Sequence, residues 1–109
     1  MNIHATDVSA KCRVPVERIL EGRSSFPHIN LSFEVEFEAD GLGAISDLAL
    51  LIKRSGLTCD YLRYCDEGRI FARLCDSKSS NFQLLDAALI RHNSVSLVRW
   101  TTVLSRRFN

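Results

Sequence analysis

A short turn between a predicted strand and a predicted helix carries the most informative residues of this sequence. The turn reads Asp40-Gly41-Leu42-Gly43-Ala44-Ile45 and follows an alternating segment directly. A helix that begins here presents unpartnered backbone N–H groups at its N-terminus, where the helix dipole also favours negative charge. Such a turn can bind a carboxylate, and it can equally be a tight turn that Asp40 caps with nothing bound. The sequence leaves both interpretations open.

Other residues that can do chemistry are scattered rather than grouped. The acidic residues around the segment 60–76 occupy alternating or turn positions, whereas general acid–base catalysis needs its groups in one pocket. No Cys-x-x-Cys or paired-histidine spacing occurs, so no metal site is predicted. Cys59 and Cys65 can face the same side of one strand, yet nothing nearby predicts an activated thiol. We therefore expect a domain that is not an enzyme and that needs no cofactor.

Composition narrows the class of protein further. The chain has 109 residues, 46% of them hydrophobic, so it can form one domain whose core needs no disulfides. Residues 1–7 lack the pattern of a signal peptide, and no apolar run approaches the ~20 residues needed to cross a bilayer. A cytoplasmic protein without a membrane segment is predicted, with its four cysteines reduced. A net charge of +1 gives no general attraction to nucleic acid.

The elements that must position the turn are visible in the hydrophobic pattern. Residues 30–38 alternate strictly, so this predicted strand has one apolar face and one polar face. Residues 44–55 have an apolar stripe at helical spacing, and Gly56 ends that helix. The stripe comprises Ile45, Leu48, Ala49, Leu51 and Ile52.

The second half of the chain repeats this alternation of strands and helix. Residues 57–65 and 69–75 are predicted strands, joined by the hairpin loop Asp66-Glu67-Gly68. Residues 82–92 form a second predicted helix, and residues 95–104 form a last strand. Because that strand is apolar on both faces, the sequence leaves open which face Trp100 takes.

The resulting order is βαββαβ, which predicts an α+β ferredoxin-like sandwich. Two helices would cover one face of a four-stranded antiparallel sheet, with the first strand between the third and the fourth. Residues 1–25 precede this pattern as an N-terminal arm, with a weak strand over 3–14 and a helical turn over 16–21. The domain itself spans 26–105, and 106–109 form a tail expected to fray.

The turn and the end of the first helix resemble an ACT domain, a small ligand-binding module found in many enzymes of amino-acid metabolism. The likeness covers residues 30–104 and has two parts: the turn 40–45, and Lys53-Arg54-Ser55-Gly56-Leu57-Thr58. Two positions depart from the family pattern, since Leu42 replaces its proline and Thr58 its usual asparagine. As a free-standing chain it also resembles the small regulatory subunits of acetolactate synthase, except for the arm.

The resemblance implies a function and a site. It implies a regulatory domain that binds a small amino acid at an interface, in a homodimer or on a larger metabolic enzyme. The implied role of Asp40 is to cap the helix or accept the ligand ammonium, while the N–H groups of Gly43 and Ala44 meet the carboxylate. The whole implied ligand-binding set is Asp40, Gly41, Leu42, Gly43, Ala44, Ile45 and Thr58.

Three alternatives stay open at this point. An interaction domain of the same fold without a ligand is favoured by Leu42. A small ferredoxin-like enzyme is disfavoured because no His/Asp/Glu pocket pattern occurs. An RNA-binding sheet would use aromatic and arginine residues such as Tyr61 and Arg63, but the neighbouring acidic strand would repel phosphate. If Phe71 lies on the open face, it marks a protein interface, which Cys75 and Trp100 would help to cover in a homodimer.

Overall fold

Three α-helices and four β-strands follow one another in the computed structural model, which describes residues 12–106 apart from the side chain of Arg106. A 3-10 turn over Asp66–Gly68 joins the second and third strands, at the predicted hairpin loop. In chain order the elements are α1 (Val16–Ser25), β1 (Ile29–Ala39), α2 (Leu42–Arg54), β2 (Thr58–Cys65), β3 (Arg69–Cys75), α3 (Phe82–Arg91) and β4 (Val95–Arg106).

The four strands form one antiparallel sheet in the order β2-β3-β1-β4. β1 therefore lies between β3 and β4, as the sequence predicted, and the α+β ferredoxin-like fold class is confirmed. Two bulges interrupt the sheet, one between β1 and β4 near Glu36 and one between β2 and β3 near Asp60.

The core lies between one face of the sheet and the helices. Alternate residues of β1 point into it, and their cross-strand partners on β3 point the same way. The buried residues at its centre, Phe33, Phe37, Leu48, Ile52, Ile70, Leu74 and Leu85, come from β1, β3, α2 and α3. The opposite face of the sheet, which we call the open face, carries the polar residues of β1.

Local signals fix the ends of α2 and α3. Gly56 follows α2 with φ of +78°, a conformation that ends helices and that glycine adopts without strain. Asn81 caps α3, since its side chain accepts a hydrogen bond from the Leu84 N–H at 3.0 Å. One residue of the predicted stripe is misplaced: Ala49 is exposed, because the face of α2 that packs on the sheet is centred on Leu48 and Ile52.

The N-terminal part adds a third helix to the helical layer. The predicted turn over 16–21 extends to the full helix α1, which contributes Ile19 to the core. Asp86 on α3 anchors the start of α1 by accepting hydrogen bonds from the Arg13 side chain and, at 3.0 Å, from the Val14 N–H. The weak strand predicted over 3–14 falls almost wholly outside the described residues, and 12–15 are irregular.

The pairing of β4 settles the position of Trp100. Trp100 lies opposite Val35, on the helix-covered face. The centre of its ring is 5.0 Å from that of Phe33 and 6.4 Å from that of Phe82. The sequence left the face of Trp100 open, and the structure places it on the helix side, so it does not help to cover the open face. β4 continues to Arg106, so the predicted tail begins one residue later, and 107–109 lie outside the described residues.

Candidate functional site

The turn after β1 is built by one glycine in an unusual conformation. β1 ends at Ala39, and the Asp40 N–H donates to the Ser94 carbonyl at 2.8 Å, which ties the turn to the start of β4. Gly41 then takes φ of +97° and ψ of 164°, a region open essentially to glycine alone. This lets α2 begin at Leu42, two residues before the predicted start.

The hydrogen bonds of the turn differ from the roles predicted for Asp40 and Ala44. Gly41 is the N-cap residue of α2, and no described side chain caps this helix. Asp40 therefore does not cap the helix, and its side chain is exposed. The Ala44 N–H already donates to the Gly41 carbonyl at 3.2 Å. Among the described residues the Gly43 N–H makes no hydrogen bond, so it is the member of the predicted pair that can receive a carboxylate.

The structure brings six of the seven predicted site residues together. Within the turn, Ala44 is buried and Ile45 packs against the core, so these two side chains serve the fold. Leu42 points outward and is 72% exposed.

Thr58 lies elsewhere. It pairs with Cys75, which pairs with Ser32 near the start of β1. From Ser32 to Asp40 the usual strand rise gives roughly 25 Å. Thr58 of the same chain is therefore at the far end of the sheet from the turn.

A second candidate region, which sequence reasoning missed, lies at that far end. A concavity of about 780 Å³ opens between the end of α1, the start of β1 and the end of β3. We call it the basic cleft, after the cations Arg23, Arg73 and Lys78 that line it together with Asp76. The alternation of β3 places Arg73 on the polar face, but no sequence signal brings α1 and Arg23 to the same place.

Charged residues cover the open face of the sheet. Glu34, Glu36 and Glu38 lie along β1, and Arg69 reaches across to form an ion pair with Glu36. The alternation of β1 places Glu36 on the open face, where such a pair with an arginine of β3 can form across the strands.

The aromatic residues in the described part of the sheet do not form the continuous platform that stacking of RNA bases requires. Phe71 is half-buried on the open face, and the Arg63 guanidinium lies 5.5 Å from the centre of its ring. Tyr64 pairs with Ile70 and so faces the helical side, away from Tyr61.

The described residues hold no cluster of three or more histidine, cysteine and acidic side chains that could bind a metal. Burial raises the pKa of Cys59 and of Cys75, and a hydrogen bond to Asp60 raises the pKa of Cys75 further. A raised pKa keeps a thiol in its less reactive neutral form. The bulge near Asp60 puts Cys59 opposite Leu74 and Cys65 opposite Arg69, so the expectation of a shared face is wrong.

Comparison of the chain with models of protein families, with curated proteins and with solved structures found no match. Among the described residues no helix has the length and apolar character needed to cross a bilayer.

Proposed function

We propose that this chain is a non-catalytic regulatory domain of ACT type that binds a small amino acid. The observation that carries the proposal is the glycine turn at the end of the central strand. Gly41 presents the first turn of α2 at the exposed end of the sheet, and the Gly43 N–H has no hydrogen-bond partner within residues 12–106. The helix dipole adds to the attraction of this N–H for a carboxylate.

The rest of the site would come from a second chain. The carboxylate of the ligand accepts from the Gly43 N–H, and its ammonium group faces the exposed Asp40 carboxylate. The distance between Thr58 and the turn within one chain means that Thr58 takes part only if a neighbouring copy supplies it. The site is then completed at an interface, in a homodimer or on a larger metabolic enzyme.

Regulation follows from such an interface site. A ligand held between two chains favours the arrangement of subunits in which both halves of the site meet. The coupling is reciprocal, so a partner enzyme that prefers the same arrangement raises the affinity for the amino acid.

Thermal unfolding of the full chain against a panel of free amino acids tests the proposal. A ligand present at 100 times its dissociation constant should stabilise the fold by ~2.7 kcal/mol. Gly43→Val should abolish this effect yet still fold, because a Cβ at Gly43 meets no atom within 4 Å. Ser46→Val, on the exposed face of the same helix, is the matched control and should keep the effect.

One observation favours a second function, an interaction domain that binds no small molecule. Leu42, at the position where the family has proline, presents an exposed apolar side chain at the turn. If unfolding is unchanged by every amino acid while the chain stays dimeric, the interaction domain is the better description. Turnover of any substrate by the purified chain would contradict both functions.

A further inference from the structure

The basic cleft has the dimensions of a small-molecule site and lies away from the turn. Arg23 of α1, Ser32 of β1, Arg73 of β3 and Lys78 of the loop after β3 line its polar side. Its volume of about 780 Å³ falls within the ~300–1,000 Å³ range of ligand pockets. The cleft and the turn lie at opposite ends of β1.

Two side chains that line this cleft each carry a buried donor atom that makes no hydrogen bond among the described residues. Ser32 is only 6% exposed, and its Oγ makes no hydrogen bond. The Nε of Arg73 is likewise buried without a hydrogen bond. Buried polar groups in folded proteins are almost always paired, and an unpaired one destabilises the fold. Two such groups lining one cleft indicate a missing acceptor.

The carboxylates around the cleft do not fill this role. Asp76 is engaged by Arg23, whose Nε donates to its Oδ2 at 2.8 Å. Asp60 forms an ion pair with Arg73, but its Oδ2 lies 3.8 Å from the Arg73 Nε, too far for a hydrogen bond, and it accepts from the Cys75 thiol at 3.3 Å. Glu34 stands opposite Arg73 on β1 but forms no ion pair with it among the described residues.

The spacing of the two donors suits a carboxylate. Ser32 pairs with Cys75, two residues beyond Arg73 on the same face, so Ser32 and Arg73 are diagonal neighbours with Cα atoms ~7–8 Å apart. Two hydrogen bonds to the two oxygens of one carboxylate can span the shorter gap between their side chains. Lys78, which has no ion pair among the described residues, adds positive charge at the rim.

We propose that the basic cleft binds the carboxylate of a small organic acid, with Ser32 Oγ–H and Arg73 Nε–H as its donors. The three neighbouring carboxylates of Glu34, Asp60 and Asp76 balance the three cations of the cleft, so a phosphate dianion is disfavoured more strongly than a single carboxylate. This site goes beyond the amino-acid site proposed at the turn and does not depend on it.

Titration of the isotope-labelled full chain, followed by backbone amide NMR, tests the proposal. Acetate and succinate are the probes, inorganic phosphate is the competing anion, and sodium chloride at equal ionic strength is the blank. We expect saturable shifts from the carboxylates, confined to residues 30–32 and 73–78. Saturable binding of phosphate in preference to both carboxylates would overturn the assignment, as would the absence of saturable carboxylate shifts.

Three variants separate the cleft from general charge effects. Ser32→Ala and Arg73→Gln should each weaken carboxylate binding about tenfold or more, while Arg99→Gln, an arginine of the same open face outside the cleft, should not. Ser32→Ala should also leave the free protein at least as stable in urea, because it removes an unpartnered hydroxyl. Unchanged binding in both cleft variants would overturn the proposal.

The carboxylate titration can be interpreted independently of the amino-acid site proposed at the turn. Gly43→Val should keep the carboxylate shifts at residues 30–32 and 73–78, because Gly43 lies at the opposite end of β1. Loss of these shifts in Gly43→Val would count against a separate cleft site. Retention of the shifts together with a failed amino-acid panel would leave the cleft standing and remove only the site at the turn.

Discussion

At the scale of single residues, the two glycines of the turn have different tasks. Gly41 has the positive φ that redirects the chain from β1 into α2. Gly43 sits inside the first turn of the helix with space around its Cα. The turn therefore needs Gly41 for folding, whereas Gly43 matters only to a ligand that approaches the backbone closely.

This difference gives a matched pair of variants. Gly41→Ala should destabilise the fold by ~1–3 kcal/mol, because alanine is strained at that φ and ψ. Gly43→Ala should be neutral or stabilising by up to ~1 kcal/mol, because alanine favours the helix over glycine. Urea unfolding of both variants measures the difference. Equal effects of the two substitutions would contradict the assignment of the turn to Gly41.

Asp86 links its charge state to the anchoring of α1 on α3. The Arg13 side chain, and then the Val14 N–H, hold the pKa of Asp86 below its ordinary value, while burial opposes them. A lowered pKa in the folded state means that the stabilisation is present above the unfolded value, about 3.8, and is lost as the pH falls through the folded value.

Asp86→Asn should therefore lower the free energy of unfolding by ~1–3 kcal/mol near neutral pH, because it weakens the hydrogen bonds that hold the start of α1 on α3. The gap in unfolding free energy between wild type and this variant should shrink as the pH falls below about 3.8. Urea unfolding across this pH range measures the gap. Arg13→Gln removes the main cause of the shift and should reduce the same acid dependence. A gap that stays constant with pH would show that Asp86 is not the titrating group.

At the scale of elements, α1 is an integral part of the helical layer. Ile19 is 1% exposed within the core, and Arg23 lies 5.1 Å from the ring centre of Phe82 on α3. The helix has a weaker sequence signal than α2 or α3, and its neighbours decide its position. Helices of this length owe most of their stability to such packing.

Two neighbouring residues of α1 test this role. Ile19→Ala should cost ~2–5 kcal/mol, because it leaves a cavity in the core. Leu20→Ala, at a residue that is 42% exposed, is the control and should change stability by no more than ~0.5 kcal/mol. Chemical denaturation of the two variants compares them directly. Similar small losses in both would mean that α1 contributes little to the core.

At the scale of the whole molecule, the open face of the sheet is the face that the helices do not cover. The helices cover the other face, while the open face presents half-buried Phe71 among the charged residues of β1 and β3. The proposed interface site also requires a second chain. We therefore expect a homodimer in which the open faces take part.

Size-exclusion chromatography with light scattering should give the mass of two chains. Phe71→Arg should shift the protein to the monomer, because a charged side chain would be buried at the interface. Its fold should persist, since the new arginine stands opposite Glu36 on β1. Leu84→Arg, at an exposed apolar residue of α3, is the control and should remain dimeric. A monomeric wild type at all concentrations would contradict the proposal.

The sequence by itself determined the four strands, helices α2 and α3, and their order, because each of these signals is local. The strict alternation of β1 identifies its buried face, and the single residue Gly56 identifies the end of α2. Since the βαββαβ order admits few sheets, the central place of β1 followed from it. The turn 40–45 was found for the same reason, as contiguous residues with a recognisable pattern.

Only the tertiary structure decided what depends on pairing between distant strands. The bulge near Asp60 separated Cys59 from Cys65, and the register of β4 placed Trp100 on the helix side. The pairing of β2 with β3 also put Thr58 far from the turn, beyond the other end of helix α2. A bulge or a shift of one residue exchanges the faces of a strand, and no periodicity within that strand reveals it.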